Sequence, residues 1–219
     1  MKVNLIGDNI FHFSYENRYK LTSSFIRMQE YYESPYNDIR NKYFTLDYYM
    51  DVYAKENYGV FSYFEDWNGF NIPGNSILKW EEQFRKNEPT LRYKEEFILS
   101  PLSNFINNHD SKFYIIGTHS GQTDTLMHEV SHALYYLNPE YKSICDEIYS
   151  TIPAHIKQNI NTKLTEYGYT KQVFADETQA YLSSEDPESL LYTFDLNEDV
   201  LPYSIQYTAA AIKFAPKLS

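Results

Sequence analysis

The sequence predicts an α+β fold that is mainly helical and contains a small mixed or antiparallel sheet. Most segments after about residue 112 have helical patterns, whereas the first hundred residues mix strand-like and helical runs. A length of 219 residues is enough for one sizeable core. We therefore predict a single domain, 1–219, with a mixed α/β part over 1–110 and a mainly helical part over 111–219.

The N-terminal part begins with a predicted hairpin, in which KVNLI and IFHFSY flank the turn residues Gly7-Asp8-Asn9. Predicted helices follow in LTSSFIRMQEYYES, in TLDYYMDVYAKEN with Thr45 as N-cap, and in SILKWEEQFRKN with Ser76 as N-cap. Between the last two, GVFSYFEDWNGFNIPG contains turn signals and is predicted to be strand and loop.

The C-terminal part begins with a predicted strand, KFYIIGT, and a polar loop that ends at Asp124, a candidate N-cap. A helix is predicted over 124–137 and ends at Asn138-Pro139. Its apolar face consists of Leu126, Val130, Ala133, Leu134 and Leu137. Further helices are predicted over 139–152, 153–168 and 171–184 and near 202–215.

Composition restricts the partners and the location. The formal net charge is -11, and no block of Lys and Arg stands out, which disfavours nucleic acid and anionic membranes as partners. Cys145 is the only cysteine, so no intrachain disulfide can form. Because no signal peptide or membrane span is visible, we predict a cytoplasmic protein. The many rings, 23 Tyr and 14 Phe, are expected mainly to pack in the core.

The strongest chemical signal is the segment HEVSH, residues 128–132. Residues four apart lie on the same face of a helix, so His128 and His132 can direct their imidazoles at one point, as two ligands of Zn²⁺ must. Glu129 lies about 100° around the helix, where its carboxylate can act as a general base on a zinc-bound water without being a ligand. The segment therefore predicts a catalytic zinc site.

A catalytic zinc site normally has three protein ligands, so a further ligand is needed. The best candidate is Glu177 in FADETQAYL, where an acidic group is predicted on a packing face of a helix. Its neighbour Asp176 fits better as a charge at the helix N-terminus than as a ligand. Tyr181 can face the same site and donate to an oxyanion, or simply pack. Other candidates for the third ligand or for the oxyanion donor are Cys145, His12, His109, His119, His155, Tyr167 and Tyr169.

These motifs resemble the gluzincin branch of the zincin metallopeptidases, over about residues 112–183. The resemblance implies a zincin-like fold with His128, His132 and Glu177 as zinc ligands and Glu129 as general base. It also implies that KFYIIGT is an edge strand that binds an extended peptide. The better-known gluzincins have an acidic residue where this chain has Tyr181, so a ligand histidine must be oriented by another residue. Candidates for this role are Asp176, Asp146 and Glu147.

The function predicted from these residues is hydrolysis of peptide bonds in a peptide or protein substrate, with Zn²⁺ as cofactor. The alternative is a zincin-like module that holds metal, cleaves nothing and binds a protein partner. A purely structural zinc site is disfavoured, since it has no use for Glu129 and usually draws on cysteines. Substrate specificity and oligomeric state do not follow from the sequence.

Overall fold

The computed structural model describes residues 1–215, apart from the side chains of Thr123 and Glu198. It has a mixed α+β fold, in which helices predominate and the described strands form one four-stranded mixed sheet. The chain divides into two compact units, and the second unit begins at Thr123. None of the described helices is both long and apolar enough to cross a membrane.

The sheet belongs to the first unit and has the strand order β1-β2-β4-β3. Its strands are β1 (Lys2–Leu5), β2 (Ile10–Tyr15), β3 (Gly69–Pro73) and β4 (Tyr114–His119). The predicted hairpin is confirmed: β1 and β2 are antiparallel, and Gly7 and Asn9 between them have φ values of 66° and 65°. Left-handed backbone at these positions is typical of glycine and asparagine.

The prediction that KFYIIGT is an edge strand was wrong. β4 lies inside the sheet, where it pairs with β2 in parallel and with β3 antiparallel. Its first five residues are buried, as expected for a strand that is covered on both faces. The edges of the sheet are β1 and β3, so β4 has no unpaired edge that could bind a peptide.

The first unit contains six described α-helices. They are α1 (Arg18–Glu33), α2 (Leu46–Glu56), α3 (Tyr63–Asp66), α4 (Gly74–Asn87), α5 (Tyr93–Leu99) and α6 (Ser103–Asn107). Thr45 caps α2 as predicted, accepting a hydrogen bond from the Tyr48 N–H at 3.2 Å. Ser76 is not a cap, because the chain passes directly from β3 into α4 and the helix begins two residues earlier, at Gly74.

Aromatic rings form much of the core of the first unit. Phe25 of α1 stacks on Phe70 of β3 with ring centroids 5.4 Å apart. Gly117 of β4 lies directly against the Phe25 ring, and a Cβ at this position would be 2.7 Å from it. Glycine is therefore required where α1 crosses the sheet.

The described part of the second unit is helical. Its helices are α7 (Thr123–Leu137), α8 (Pro139–Thr151), α9 (Ala154–Glu166), α10 (Phe174–Ser184), α11 (Pro187–Phe194) and α12 (Leu201–Phe214). Asn138 ends α7 and caps α8, accepting from the Glu140 and Tyr141 N–H groups at 3.0 and 3.1 Å. Asp124 lies in the first turn of α7, so its predicted role as N-cap was wrong.

The apolar face of α7 anchors this helix in the unit. Val130, Ala133 and Leu134 are buried, as the pattern predicts, and α7 packs most extensively against α10. A helix fixed along one side can hold side chains on its other faces in a defined geometry. The packing of α7 against α10 brings the histidine motif together with the FADETQAYL segment.

Candidate metal centre

The two histidines of α7 direct their ring nitrogens at each other. The Nε2 atoms of His128 and His132 are 3.2 Å apart, and the ring planes meet at 76°. Two nitrogens bound to one tetrahedral zinc ion, each at about 2.0–2.1 Å, lie roughly 3.3–3.4 Å apart. The pair therefore fits two ligands of a single metal ion.

Asp176, in the first turn of α10, orients His132. Its Oδ1 atom lies 2.9 Å from His132 Nδ1. Because a carboxylate accepts hydrogen bonds, Nδ1 of His132 carries a proton. Nε2, which faces His128, is then the nitrogen that can bind a metal. Of the three acidic candidates for this role, the structure places only Asp176 against a motif histidine. Asp146 accepts instead from Tyr135 and Lys142, and Glu147 is exposed.

A buried chain of hydrogen bonds holds Asp176 in turn. The Gln179 side-chain amide donates to Asp176 Oδ1 at 2.9 Å, and the Tyr141 hydroxyl donates to Gln179 Oε1 at 2.6 Å. Gln179 and Tyr141 are completely buried, so each needs such a partner. These hydrogen bonds connect His132 through Asp176 and Gln179 of α10 to Tyr141 of α8. The sequence offered one signal for Gln179, its position one turn after Asp176 on a helix.

His128 has its own partner on α10. The Ser184 hydroxyl donates to the Ala180 carbonyl at 2.7 Å and lies 3.4 Å from His128 Nδ1, from which it can accept. With a proton on Nδ1, the free lone pair of His128 is on Nε2. Both imidazoles are thus supported from α10 in the tautomer that a metal ligand requires.

Two buried carboxylates flank the histidine pair. Glu129 and Glu177 are only 7% and 6% exposed. One ligand atom from each of His128, Glu129 and His132 lies within 4.8 Å of the others. Glu177 Oε2 is 3.7 Å from His132 Nε2, a separation that two ligand atoms of one zinc ion, at roughly 2.0–2.2 Å each, can have. α10 therefore brings Glu177, the predicted third ligand, next to His132, whereas the carboxylate in the compact group with both histidines is that of Glu129.

The charges around the pair favour a cation. Burial opposes protonation of His132, but the negative charges of Asp176, Glu177 and Glu129 outweigh it and raise the pKa of this histidine well above its usual value. Burial and the nearby charge of His132 lower the pKa of His128 well below its usual value. Three carboxylates thus stabilise one positive charge between two imidazoles.

Tyr181, one turn after Glu177, packs its ring against His128 with centroids 4.7 Å apart and against Phe194 at 5.1 Å. Burial raises the pKa of its hydroxyl to about 12, which keeps this group a neutral hydrogen-bond donor at neutral pH. A hydrogen bond also links Tyr181 to Tyr169, another of the candidates for an oxyanion donor. The ring contact with His128 places Tyr181 beside the candidate metal centre.

The other candidate ligands lie in other surroundings. In the first unit His12 is hydrogen-bonded to Thr118 at 2.8 Å, His119 lies 3.4 Å from Asn68, and His109 is exposed. In the second unit His155 is exposed at the start of α9. Cys145 is buried, and burial raises the pKa of its thiol to about 12. The described residues outside α7 and α10 form no second group of this kind.

No protein-family model matches the chain, and no curated protein or solved structure matches it significantly.

Proposed function

We propose that this protein is a zinc-dependent metallopeptidase of the zincin type, with His128, His132 and Glu177 as zinc ligands. The observation that carries the proposal is the 3.2 Å separation of the two Nε2 atoms on one core-anchored helix. Support comes from Asp176 and Ser184, which hold the outer nitrogens of the two rings. Hydrogen-bond partners on both Nδ1 atoms are not expected for two histidines that share a helix face by chance.

Bound zinc would polarise the substrate carbonyl and lower the pKa of a bound water to about 7. Glu129, whose carboxylate lies beside the histidine pair, would serve as the general base that takes a proton from the attacking water. When the carbon–nitrogen bond breaks, Glu129 passes the same proton to the leaving amine. Tyr181 is proposed to donate a hydrogen bond to the oxyanion. A cytoplasmic location and a peptide or protein substrate belong to the same proposal.

The test of the general base is Glu129→Gln, with Glu147→Gln as matched control, because Glu147 is exposed on α8. Zinc content and cleavage of a peptide library, with and without a chelator, are measured for both variants. Glu129→Gln is expected to keep zinc and to lose at least ~10²-fold in turnover, the lower range for general-base catalysis. The control should behave as the parent protein. Full turnover by Glu129→Gln would exclude this mechanism.

A second candidate function rests on the same short distances. Glu129 belongs to the compact group with both histidines. If Glu129 is itself the third ligand, no base remains, and the protein is a metal-binding module that cleaves nothing and binds a protein partner. Glu177→Ala and Glu129→Gln separate the two cases. Loss of zinc affinity in Glu177→Ala alone supports the peptidase, whereas loss in Glu129→Gln alone, without any chelator-sensitive cleavage in the parent, supports the module.

A further inference from the structure

A cavity of about 660 Å³ lies in the second unit, lined by the C-terminal end of α10, the start of α11 and one face of α12. Asp124 of α7 also lines it. The volume is within the range of about 300–1,000 Å³ that is usual for small-molecule binding sites. None of the residues proposed to hold zinc lines this cavity, so its lining needs a separate explanation.

One part of the lining is apolar and accessible. Ile205 and Ile212 of α12 are 69% and 72% exposed. Together with Ala209 they recur at the spacing of one helix face. Two isoleucines that line the same cavity in this exposed state provide a surface for an aliphatic chain.

The other part of the lining is acidic. Asp124, Glu185 and Asp186 contribute three carboxylates, and the lining contains no lysine or arginine. None of the three appears in an ion pair within the described part of the chain. Burial and the charges of Asp186 and Asp124 raise the pKa of Glu185, as expected where like charges face each other without a cation.

The charge of the whole second unit has the same sign. Residues 123–219 contain fourteen acidic side chains against six lysines, and all five arginines of the chain precede this region. Such a surface attracts cations and lowers the affinity for acidic ligands. Charge complementarity therefore selects a basic occupant for the cavity.

The cavity also adjoins the candidate metal centre. Ser184 lines it and lies 3.4 Å from His128 Nδ1. Asp124 precedes His128 by four residues on α7, about 6 Å along the helix axis. This is the length of about two residues of an extended peptide.

We propose that this cavity binds a lysine or arginine side chain of a peptide, with the aliphatic stem against Ile205 and Ile212 and the charged end among Asp124, Glu185 and Asp186. Lysine and arginine have this combination of apolar stem and charged end. On the proposed peptidase function, on which this part rests, the basic residue lies about two positions from the cleaved bond.

The test measures binding of two fluorescein-labelled peptides to the zinc-loaded Glu129→Gln variant, which does not consume them. The peptides share an alanine and serine background, and one has a lysine where the other has norleucine, which keeps the stem and removes the charge. Binding is repeated after Asp124→Asn and Glu185→Gln are added, singly and together. Asp186 is left unchanged, because its carboxylate caps α11. Glu166→Gln on α9, outside the cavity, is the matched control.

The lysine peptide is expected to bind more tightly than the norleucine peptide. Each added cavity substitution should reduce this preference roughly two- to five-fold, as for an exposed ion pair, and the pair of substitutions should reduce it further, by about the product of the two single effects. Glu166→Gln should leave it unchanged. Equal binding of the two peptides, or a preference that the double substitution does not reduce, would overturn the inference.

Cleavage by the unmodified protein separates this result from the proposed function. Chelator-sensitive cleavage without a lysine preference overturns the cavity assignment and leaves the peptidase. A lysine preference that the two substitutions reduce, in a protein without chelator-sensitive cleavage, supports the cavity as a binding site and overturns the peptidase.

Discussion

The substitution Asp176→Asn tests how the candidate metal centre is supported. Asparagine keeps the size of the side chain, and its carbonyl oxygen can still accept from Gln179. It removes the negative charge that accepts from His132 Nδ1 at 2.9 Å. Because Gln179 and His132 donate to the same oxygen, Oδ1, the asparagine carbonyl replaces it only as a neutral acceptor, and the hydrogen bond from the histidine is weakened.

The expected magnitude follows from this one contact. A hydrogen bond to a charged group contributes about 1.5–3 kcal/mol, and 1.36 kcal/mol is a factor of ten in affinity. Because a neutral hydrogen bond remains, the zinc affinity of Asp176→Asn should fall roughly 10-fold, the lower end of the ~10- to 100-fold loss that is usual when a hydrogen-bond partner of a ligand histidine is mutated.

Competition with a chromophoric chelator measures the zinc affinity directly. Asp146→Asn is the matched control, because Asp146 lies on α8 and is bonded to Lys142 and Tyr135 instead of a histidine. An unchanged affinity in Asp176→Asn would show that Asp176 does not support His132 as a metal ligand. An equal decrease of zinc affinity in both variants would have the same meaning, because it would come from the loss of one negative charge and not from the contact with His132.

Three further predictions concern the first unit. Gly117→Ala should destabilise it by about 1–3 kcal/mol in urea unfolding, because the new Cβ would lie 2.7 Å from Phe25; an unchanged midpoint would contradict the packing described above. Thr45→Ala should lose about 1 kcal/mol with the cap of α2, and a helix content and stability equal to the parent would exclude this cap. Glu30 is buried, and burial raises its pKa above the usual 4.5. The folded state therefore favours the protonated carboxyl, and this contribution to the free energy of unfolding is lost as the pH rises through the folded-state pKa. Glu30→Gln should therefore gain stability relative to the parent as the pH rises above 4.5, with a slope of at most about 1.4 kcal/mol per pH unit, and a pH-independent difference would show that Glu30 is not buried in this way.

Features that depend on neighbours in the chain could be predicted from the sequence. The hairpin at Gly7-Asp8-Asn9, the cap at Thr45 and the end of α7 at Asn138 each follow from a few adjacent residues. The two histidines could also be placed together, because four residues of helix define their separation. Short-range chemistry determines all of these.

Features that depend on distant pairing could not be predicted. The central position of β4 is set by its pairing with β3, in which Gly69 lies opposite Thr118, and nothing within β4 identifies that partner. Asp176 could not be distinguished from Asp146 or Glu147, because the three differ only in which residues fold against them. Gln179 and Tyr141 were missed since neutral side chains belong to no metal motif.

The location of the proposed ligands on both α7 and α10 has a thermodynamic consequence. A metal held by groups from two helices binds the folded second unit and not the separated helices, so occupancy and folding form one linked equilibrium. At a free zinc concentration 100 times the dissociation constant, binding would add about 2.7 kcal/mol to the free energy of unfolding. Chelation should therefore lower the melting temperature of the second unit, which can be measured before any substrate is known.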